Sequence, residues 1–426
     1  MATALQTIRK ATSPVPLPWF RFLRKKGPMN EHRRHIFEQN LRLGREGGIS
    51  RRVRYGIRWP FISAVNAWRG SRDLGDSVRR AGGPTRTRQF LQAWWLSLVQ
   101  NLGVPSYYNF RLWDSARRAR AEDWLQDREN GACFAVLQPG EAFRSFEDKL
   151  KFHAHCRQLG LPTVPILAQI NRRAEPQWVD AQGLPEADLF IKPADDGCGV
   201  GTARWSFDPA TKKWSRNAMH LDEDSLLKGP QLFNFKHDKG DGSRLLIQPR
   251  IENHPALAKF SQGALCTMRI ITYRIGSAQS RLFAAILRMP TGDAEIDNYS
   301  AGGLSSPLDS NGRLGPAWKK FGIKPVHSHP DSGAAITGAM MPQWRDLVGL
   351  ALRAHDAMVD NSFIGWDVAL AAEGPLLVEA NQSWSVEHWE IAHDGPIADS
   401  EFIDIVRRID SCKGKPTVDA GNSGSA

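Results

Sequence analysis

The chain has 426 residues, and its 41% hydrophobic and 24% charged content is that of a folded protein of two or three domains rather than a disordered one. No stretch approaches about eighteen apolar residues and no signal peptide is recognisable, so we expect neither a transmembrane helix nor a secretory leader. The five scattered cysteines form no CxxC pair, which favours reduced thiols in the cytoplasm over disulfides or a zinc site.

The net charge of +11 is concentrated at the front of the chain. Residues 1–130 carry 25 Lys+Arg and 10 Asp+Glu, a net charge of +15, which leaves −4 for the remainder. Four prolines predict an irregular basic arm over residues 1–30. An Arg/Trp-rich helical domain is expected over residues 31–130, with breaks near the glycines at 47–48, 70, 82–83 and 103.

From Cys133 onward, candidate strands and helices alternate. Strands are predicted over 133–137, 163–170, 189–193, 244–248, 267–274 and 281–289, with a hairpin at 203–214. Helices are predicted over 145–159, 342–358 and 401–409, and the polar residues from 413 to 426 are expected to be disordered. Runs of neighbouring strands mixed with helices indicate an α+β fold rather than a doubly wound parallel sheet.

Two adjacent strands near the carboxyl end carry the strongest chemical signal. A hairpin with loop residues 372–374 would place Asp367 opposite Glu379, with Glu379 and Asn381 on the same polar face. Their oxygens are ligands that Mg²⁺ prefers, whereas aspartate and asparagine are poor strand formers. We therefore predict a metal site at Asp367, Glu379 and Asn381, the alternative being a hairpin whose polar face meets solvent.

Two further segments carry cationic side chains in or beside apolar strands. Lys192 closes one strand and precedes a loop with Gly197, Gly199 and Gly201, an arrangement that suits phosphate oxygens without matching a Walker A loop. Arg269 lies inside an uncharged strand, where it needs an anionic partner. An ordinary glycine-rich turn and a structural salt bridge are the respective alternatives.

In this order and spacing, the segments resemble the ATP-grasp superfamily from about Ser145 to Asn381. The closest resemblance is to the sugar-transfer-associated group, related to α-L-glutamate-ligase-like proteins. Supporting runs are Asp148-Lys149 followed by Gly-Leu-Pro-Thr-Val-Pro165, Asn253-His-Pro, Thr267-Met-Arg, Asp297-Asn-Tyr-Ser-Ala-Gly-Gly303 and Gly365-Trp-Asp. The resemblance implies an ATP-grasp domain over 131–412, with ATP held between α+β lobes of about 131–250 and 251–412.

The resemblance also assigns roles to individual positions. For nucleotide binding these are Lys149, Lys192, Gly197, Gly199, Gly201, Gln248, Pro249, Arg250, Ile251 and Glu252. Arg269 and Lys192 would act on the transferred phosphoryl group, and Asp367, Glu379 and Asn381 would hold one or two Mg²⁺ ions. Asn298, Gly302 and Gly303 would form a substrate-side loop.

By this resemblance the protein is an ATP-dependent carboxylate–amine ligase acting through an acyl phosphate, for example in cell-surface glycan or amino-acid conjugate synthesis. The alternatives are a phosphotransferase of the same fold, acting on a small hydroxyl substrate, and a non-catalytic nucleotide-binding scaffold. For residues 1–130 three interpretations stay open: a helical cap on the lobes, a peripheral contact with the inner face of a membrane, and, least favoured, nucleic-acid binding.

Overall fold

The computed structural model describes residues 27–42, 49–137, 148–172, 174–195, 201–228, 232, 243–297, 299, 302–358 and 361–413. The predicted basic arm, apart from its last few residues, and the predicted tail, apart from Lys413, therefore lie outside the described residues. The four described cysteines, Cys133, Cys156, Cys266 and Cys412, are free thiols.

All regular secondary structure in the described part of the chain up to Leu137 is helical, as predicted for residues 31–130. The helices are α1 (Pro28–Arg42), α2 (Ile49–Asp73), α3 (Gly75–Arg80), α4 (Arg86–Gln100), α5 (Val104–Asn109), α6 (Ser115–Ala119) and α7 (Asp127–Leu137), with a 3₁₀ turn at Ala121–Asp123. The breaks expected near Gly82 and Gly103 are present, whereas α2 continues through Gly70. No helix in the described ranges is both long and apolar enough to cross a membrane.

The strand predicted over 133–137 is wrong, because these residues form the end of α7. Cys133, Phe134 and Leu137 are buried together, which is the i, i+1, i+4 pattern of one helix face. Five apolar residues fit a strand or a helix equally well, and packing decides between them.

A seven-stranded antiparallel sheet follows α8 (Lys149–Gln158). Its strands are β1 (Ala168–Asn171), β2 (Gln177–Trp178), β3 (Leu189–Pro193), β4 (Ala203–Asp208), β5 (Lys213–Arg216), β6 (Met219–Leu221) and β7 (Arg244–Pro249), in the order β2-β1-β7-β3-β4-β5-β6. Helix α9 (Glu223–Lys228) packs against it. The expected hairpin at 203–214 is the β4–β5 pair.

The second sheet has six antiparallel strands in the order β11-β10-β9-β8-β12-β13. These are β8 (Thr267–Tyr273), β9 (Arg281–Met289), β10 (Leu304–Leu308), β11 (Trp318–Lys319), β12 (Phe363–Ala371) and β13 (Gly374–Asn381). The helices of this part are α10 (Pro255–Ala258), α11 (Trp344–Ala357), α12 (Val386–His393) and α13 (Phe402–Lys413). Two antiparallel sheets with segregated helices confirm the α+β class.

Both faces of the second sheet are buried, each by different helices. Trp366 and Val368 point to a core shared with α11, whereas Phe363 and Ile271 point to a core shared with α1, α7, α12 and α13. The amino-terminal helices α1 and α7 thus cover one face of this sheet together with α12 and α13.

Candidate active site

Strands β12 and β13 bring the predicted metal-binding residues together. Asp367 is paired with Glu379, as expected, and Asn381 is paired with Gly365. The turn is shorter than predicted, however, because Ala371 pairs with Gly374 and only residues 372–373 form the loop. A bulge between Asp367 and Val368 restores the register by adding one residue on β13.

The bulge changes which side chains of β13 reach the core. The expected apolar face of Leu376, Val378 and Ala380 is wrong at two positions, because Leu377 and Ala380 are the buried residues. Val378 instead lines the cleft beside Glu379. An extra residue inverts the alternation of the strand, and simple period-two counting cannot detect it.

A cleft of about 400 Å³ is lined by residues of both sheets. This is within the size range of small-molecule sites. Ten predicted site residues line it: Lys149, Lys192, Gln248, Pro249, Arg250, Ile251, Arg269, Asp367, Glu379 and Asn381. Gly201, Glu252, Gly302 and Gly303 are described but do not line it, and Gly197, Gly199 and Asn298 lie outside the described residues.

Two buried lysines line the cleft, Lys192 at the end of β3 and Lys149 at the start of α8. Lys149 is the first residue of α8, and its N–H donates to the carbonyl of Ala194, just beyond Lys192 at the end of β3. Burial and the neighbouring ammonium of Lys149 lower the pKa of Lys192 to about 8, although Glu379 and Asp367 act in the opposite direction. Two cations held this close favour an anionic ligand of more than one charge.

Arg269 of β8 forms an ion pair with Asp367 on the neighbouring strand β12. Its Nε donates to Asp367 Oδ1 at 2.5 Å, and Arg288 Nη2 on β9 donates to Asp367 Oδ2 at 2.9 Å. The two guanidinium groups lower the pKa of Asp367, overcoming the opposing effect of burial. Asp367 is therefore an arginine-binding carboxylate as well as a candidate metal ligand.

Arg288 continues this network to Asp297. Its Nε lies 3.5 Å from Asp297 Oδ2, and the Thr267 hydroxyl accepts from Arg288 while donating to Asp297. Arg288 and Asp297 were not among the predicted site residues, although both line the cleft. Arg288 lies in an apolar strand with the same signal as Arg269, so the same reasoning could have found it.

The donor set fits Mg²⁺ in part because one carboxylate lacks other partners. Among the described residues, the side chain of Glu379 forms no hydrogen bond or ion pair, while its backbone pairs with Asp367. Groups of three or more His, Cys, Asp or Glu suited to a metal are absent from the described residues, so the set depends on the amide oxygen of Asn381. Glu379 and Asn381 would be the open ligands, with Asp367 shared between arginine and metal.

The predicted hinge uses its side chains for structure. Gln248 Nε2 donates to the Pro165 carbonyl at 3.1 Å, and Arg250 Nη1 and Nη2 donate to Asp188 and to the Gly263 carbonyl at 3.0 and 2.8 Å. The N–H of Arg250 is also used, since it donates to the Asp188 carbonyl. Backbone contacts to a base would therefore fall to other atoms of residues 248–251.

The far end of the cleft was missed by sequence reasoning. It is lined by Asp127, Tyr299, Lys320, Glu387 and His388. Ser106 and Asn109 of α5 donate to Glu387 at 2.9 and 2.6 Å, so the amino-terminal helices hold this end. These residues come from four separate segments, and only Tyr299 lies in a run that carried the family resemblance, so no motif links them.

His388 is half-buried and lies against Tyr299, with ring centroids 4.3 Å apart, and its Nε2 is 2.6 Å from Ser305 Oγ. Burial, together with Arg269 and Arg288, lowers its pKa well below the usual value, so the imidazole is neutral. The Tyr299 hydroxyl is buried beside it without a hydrogen-bond partner among the described residues.

Comparison with protein families places this cleft in context. Residues 133–401 match the family model described as sugar-transfer associated ATP-grasp. The chain belongs to this ATP-grasp family. A search of curated proteins found no match.

Among solved structures, the chain is similar to D-alanine–D-alanine ligase from Helicobacter pylori, with 12% identity, a TM-score of 0.36, and coverage of 65% of this chain and 61% of that one. It is also similar to an L-amino acid ligase from Bacillus licheniformis, with 12% identity, a TM-score of 0.37, and coverage of 66% and 52%. A third is the biotin carboxylase domain of 2-oxoglutarate carboxylase from Hydrogenobacter thermophilus in complex with MgADP, with 12% identity, a TM-score of 0.38, and coverage of 65% and 47%. The chain thus spans less than two thirds of each of these three proteins.

Proposed function

We propose that this protein is an ATP-dependent carboxylate–amine ligase. The observation that carries the proposal is the convergence of two lysines, two arginines and the Asp367, Glu379 and Asn381 oxygen donors on one cleft. Such a site suits a triphosphate with Mg²⁺, because catalysis of phosphoryl transfer rests on positioning and on offsetting charge.

Within the cleft, Lys149 and Lys192 would bind the phosphates from the side of the first sheet. Arg269 and Arg288 would offset charge on the transferred phosphoryl group from the side of the second sheet. Mg²⁺ held by Glu379, Asn381 and Asp367 would supply further charge neutralisation between the phosphates.

The reaction then proceeds in two displacements. A carboxylate oxygen of the acid substrate attacks the γ-phosphorus, the bond to the β-phosphate oxygen breaks, and ADP leaves. The amine nitrogen attacks the acyl carbon of the resulting acyl phosphate, inorganic phosphate leaves, and the nitrogen gives up a proton as the amide forms. Arg269 would remain beside the phosphate in both steps.

We assign the far end of the cleft to the two substrates. Burial and, next, the carboxylate of Asp127 raise the pKa of Glu387, whereas the ammonium group of Lys320 lowers it. A protonated amine between Asp127 and Glu387 would offset their repulsion, and Lys320 would suit a carboxylate. This favours substrates that carry both charges, such as amino acids.

The test is calorimetric titration of the protein with a non-hydrolysable ATP analogue, with Mg²⁺ and with EDTA. For Glu379→Gln we expect the affinity with Mg²⁺ to fall to the wild-type value in EDTA, because a metal ligand is lost. Asp367→Asn should behave alike and also lower the free energy of unfolding by about 3–5 kcal/mol, since it strips buried arginines of their partner.

Glu373→Gln, in the loop between the same strands, removes one charge outside the cleft and is the matched control. A folded wild-type protein that binds no nucleotide would overturn the ligase proposal. If nucleotide binds, ADP and phosphate release can be screened with pairs of acids and amines. Release of ADP without phosphate would instead indicate transfer to a hydroxyl group.

A further inference from the structure

Two neighbouring helices of the amino-terminal region turn large apolar side chains toward solvent. Six residues define what we call the α2–α4 face: Ile57, Phe61, Val65, Trp68, Leu91 and Trp95. Each is between 47% and 74% exposed, whereas single exposed apolar residues are the norm elsewhere on proteins. The exposure of two tryptophans and a phenylalanine indicates that this surface binds a partner.

The exposed residues of α2 are spaced so that they lie on one side of the helix. At about 100° per residue, the four α2 residues fall within an arc of about 80° on one side of the helix. The opposite side of α2 is buried, with Trp59 donating to the Ser97 carbonyl of α4 at 2.9 Å. Trp94 Nε1 likewise donates to the Pro60 carbonyl at 3.1 Å, so α2 and α4 are tied together. The apolar stripe is therefore not part of the core.

The surroundings of the face are strongly basic. Residues 49–100 contain ten arginines and two aspartates, a net charge of +8. Arg58 and Arg72 are exposed, and the Arg72 guanidinium lies over the Trp68 ring, 5.1 Å from its centroid. Aromatic side chains bordered by arginines are the composition of helices that lie in a membrane interface.

We propose that the α2–α4 face docks on the surface of a membrane that contains anionic lipids. The aromatic side chains would insert among the lipid headgroups, while the arginines bind their phosphates. Pairing of this face with a second copy of the chain is disfavoured, because residues 49–100 of each copy carry a net charge of +8. The membrane contact is independent of the ligase proposal, since none of these residues lines the cleft.

The test is co-sedimentation of the full-length protein with vesicles of 70% phosphatidylcholine and 30% phosphatidylglycerol, and with vesicles of phosphatidylcholine alone. We expect binding to the anionic vesicles that weakens at 0.5 M NaCl and is at least about tenfold weaker on neutral vesicles. The triple variant Phe61→Ser, Trp68→Ser, Trp95→Ser should lose at least about tenfold in affinity for the anionic vesicles.

Met340→Ser removes an exposed apolar side chain from the loop before α11 and should bind vesicles as the wild type does. Circular dichroism establishes that each variant is folded. Three results would overturn the proposal: a wild type that does not bind anionic vesicles, a triple variant that binds as tightly as the wild type, and a wild-type dimer that the triple substitution converts to a monomer. The last would make the face a contact between copies.

Discussion

Lys192 is a buried cation in the cleft that a bound anion would neutralise. Its ammonium group is buried at the end of β3, next to the ammonium group of Lys149, and forms no ion pair among the described residues. A buried cation in this setting is disfavoured until an anion arrives, which is why its pKa is about 8 rather than that of a free lysine. A bound triphosphate would supply the missing counter-charge.

This setting makes nucleotide affinity depend on pH in a defined direction. Above pH 8 a growing fraction of the free protein carries neutral Lys192, whereas the phosphates bind the charged form and raise its pKa. Binding must then take up a proton, so the affinity for the ATP analogue should fall by up to about tenfold per pH unit above pH 8. Calorimetric titrations at pH 7.0, 8.0, 9.0 and 9.5 measure this slope.

Lys192→Arg is the control, because a guanidinium group stays charged throughout this range. Its affinity should be independent of pH from 7.0 to 9.5, whatever its absolute value. A wild-type affinity that stays constant to pH 9.5 would show that Lys192 does not bind the phosphates.

At the scale of single elements, the β12–β13 hairpin depends on a close approach at Gly365. A Cβ atom at this position would lie 2.8 Å from the Cβ of buried Trp384 and 3.1 Å from the Cδ of Arg269. Glycine therefore allows Trp384 to cover the strand while Arg269 keeps its contact with Asp367. Strand β12 packs tightly against Trp384 here because Gly365 has no side chain.

Gly365→Ala should accordingly lower the free energy of unfolding by about 1–3 kcal/mol, because Trp384 and Arg269 must shift. Urea unfolding followed by circular dichroism measures the change. We also expect weaker binding of the ATP analogue, since Arg269 lines the cleft.

Gly349→Ala in α11 is the matched control, because the added Cβ would meet only the flexible end of Arg353 at 3.4 Å. Removing a glycine from a helix interior should raise the free energy of unfolding by about 0.5–1 kcal/mol. Equal destabilisation by both substitutions would argue against the close approach at Gly365.

The elements also differ in how well the sequence predicts them. Strand β9 is found at the predicted residues 281–289, because its apolar run is long and bounded by polar turns. The helix predicted from Pro342 begins at Trp344, since Gln343 adopts a left-handed conformation just before it. Helix α12, which holds Glu387 and His388, was not predicted, as its apolar pattern is short and interrupted.

On the scale of the whole molecule, the amino-terminal helices are bound into the second sheet. Leu125, Cys133 and Phe134 share a core with Phe363 and Trp384. The helix-borne Glu390 accepts hydrogen bonds from the N–H groups of Leu125 and Ile397, both at 2.9 Å. The predicted separation into a helical domain and two lobes remains a prediction, but these contacts join the first part to the last.

A chain that begins at residue 138 should therefore neither unfold cooperatively nor bind the ATP analogue. It would uncover the part of one face of the second sheet that α1 and α7 cover, at about 1.5–3 kcal/mol for each large apolar side chain, against a total stability of about 5–15 kcal/mol. Urea unfolding followed by near-ultraviolet circular dichroism, and calorimetry with the analogue, test this.

A chain that begins at residue 27 keeps all the described helices and serves as the control, with nucleotide binding equal to that of the full-length protein. Should the shorter chain fold and bind nucleotide as tightly, the helices would be a dispensable cap rather than part of the cleft.

The sequence by itself determined the α+β class and the pairing of Asp367 with Glu379, because alternation along a strand and oxygen-donor chemistry are local properties. It also brought out Lys192 and Arg269, since cations in or beside apolar segments are costly without an anion, whereas Lys149 came from the family resemblance. The bulge at Val378 and the helical state of residues 133–137 were decided by tertiary packing. So was the far end of the cleft, because Asp127 joins Tyr299, Lys320 and Glu387 only when the amino-terminal helices pack on the second sheet.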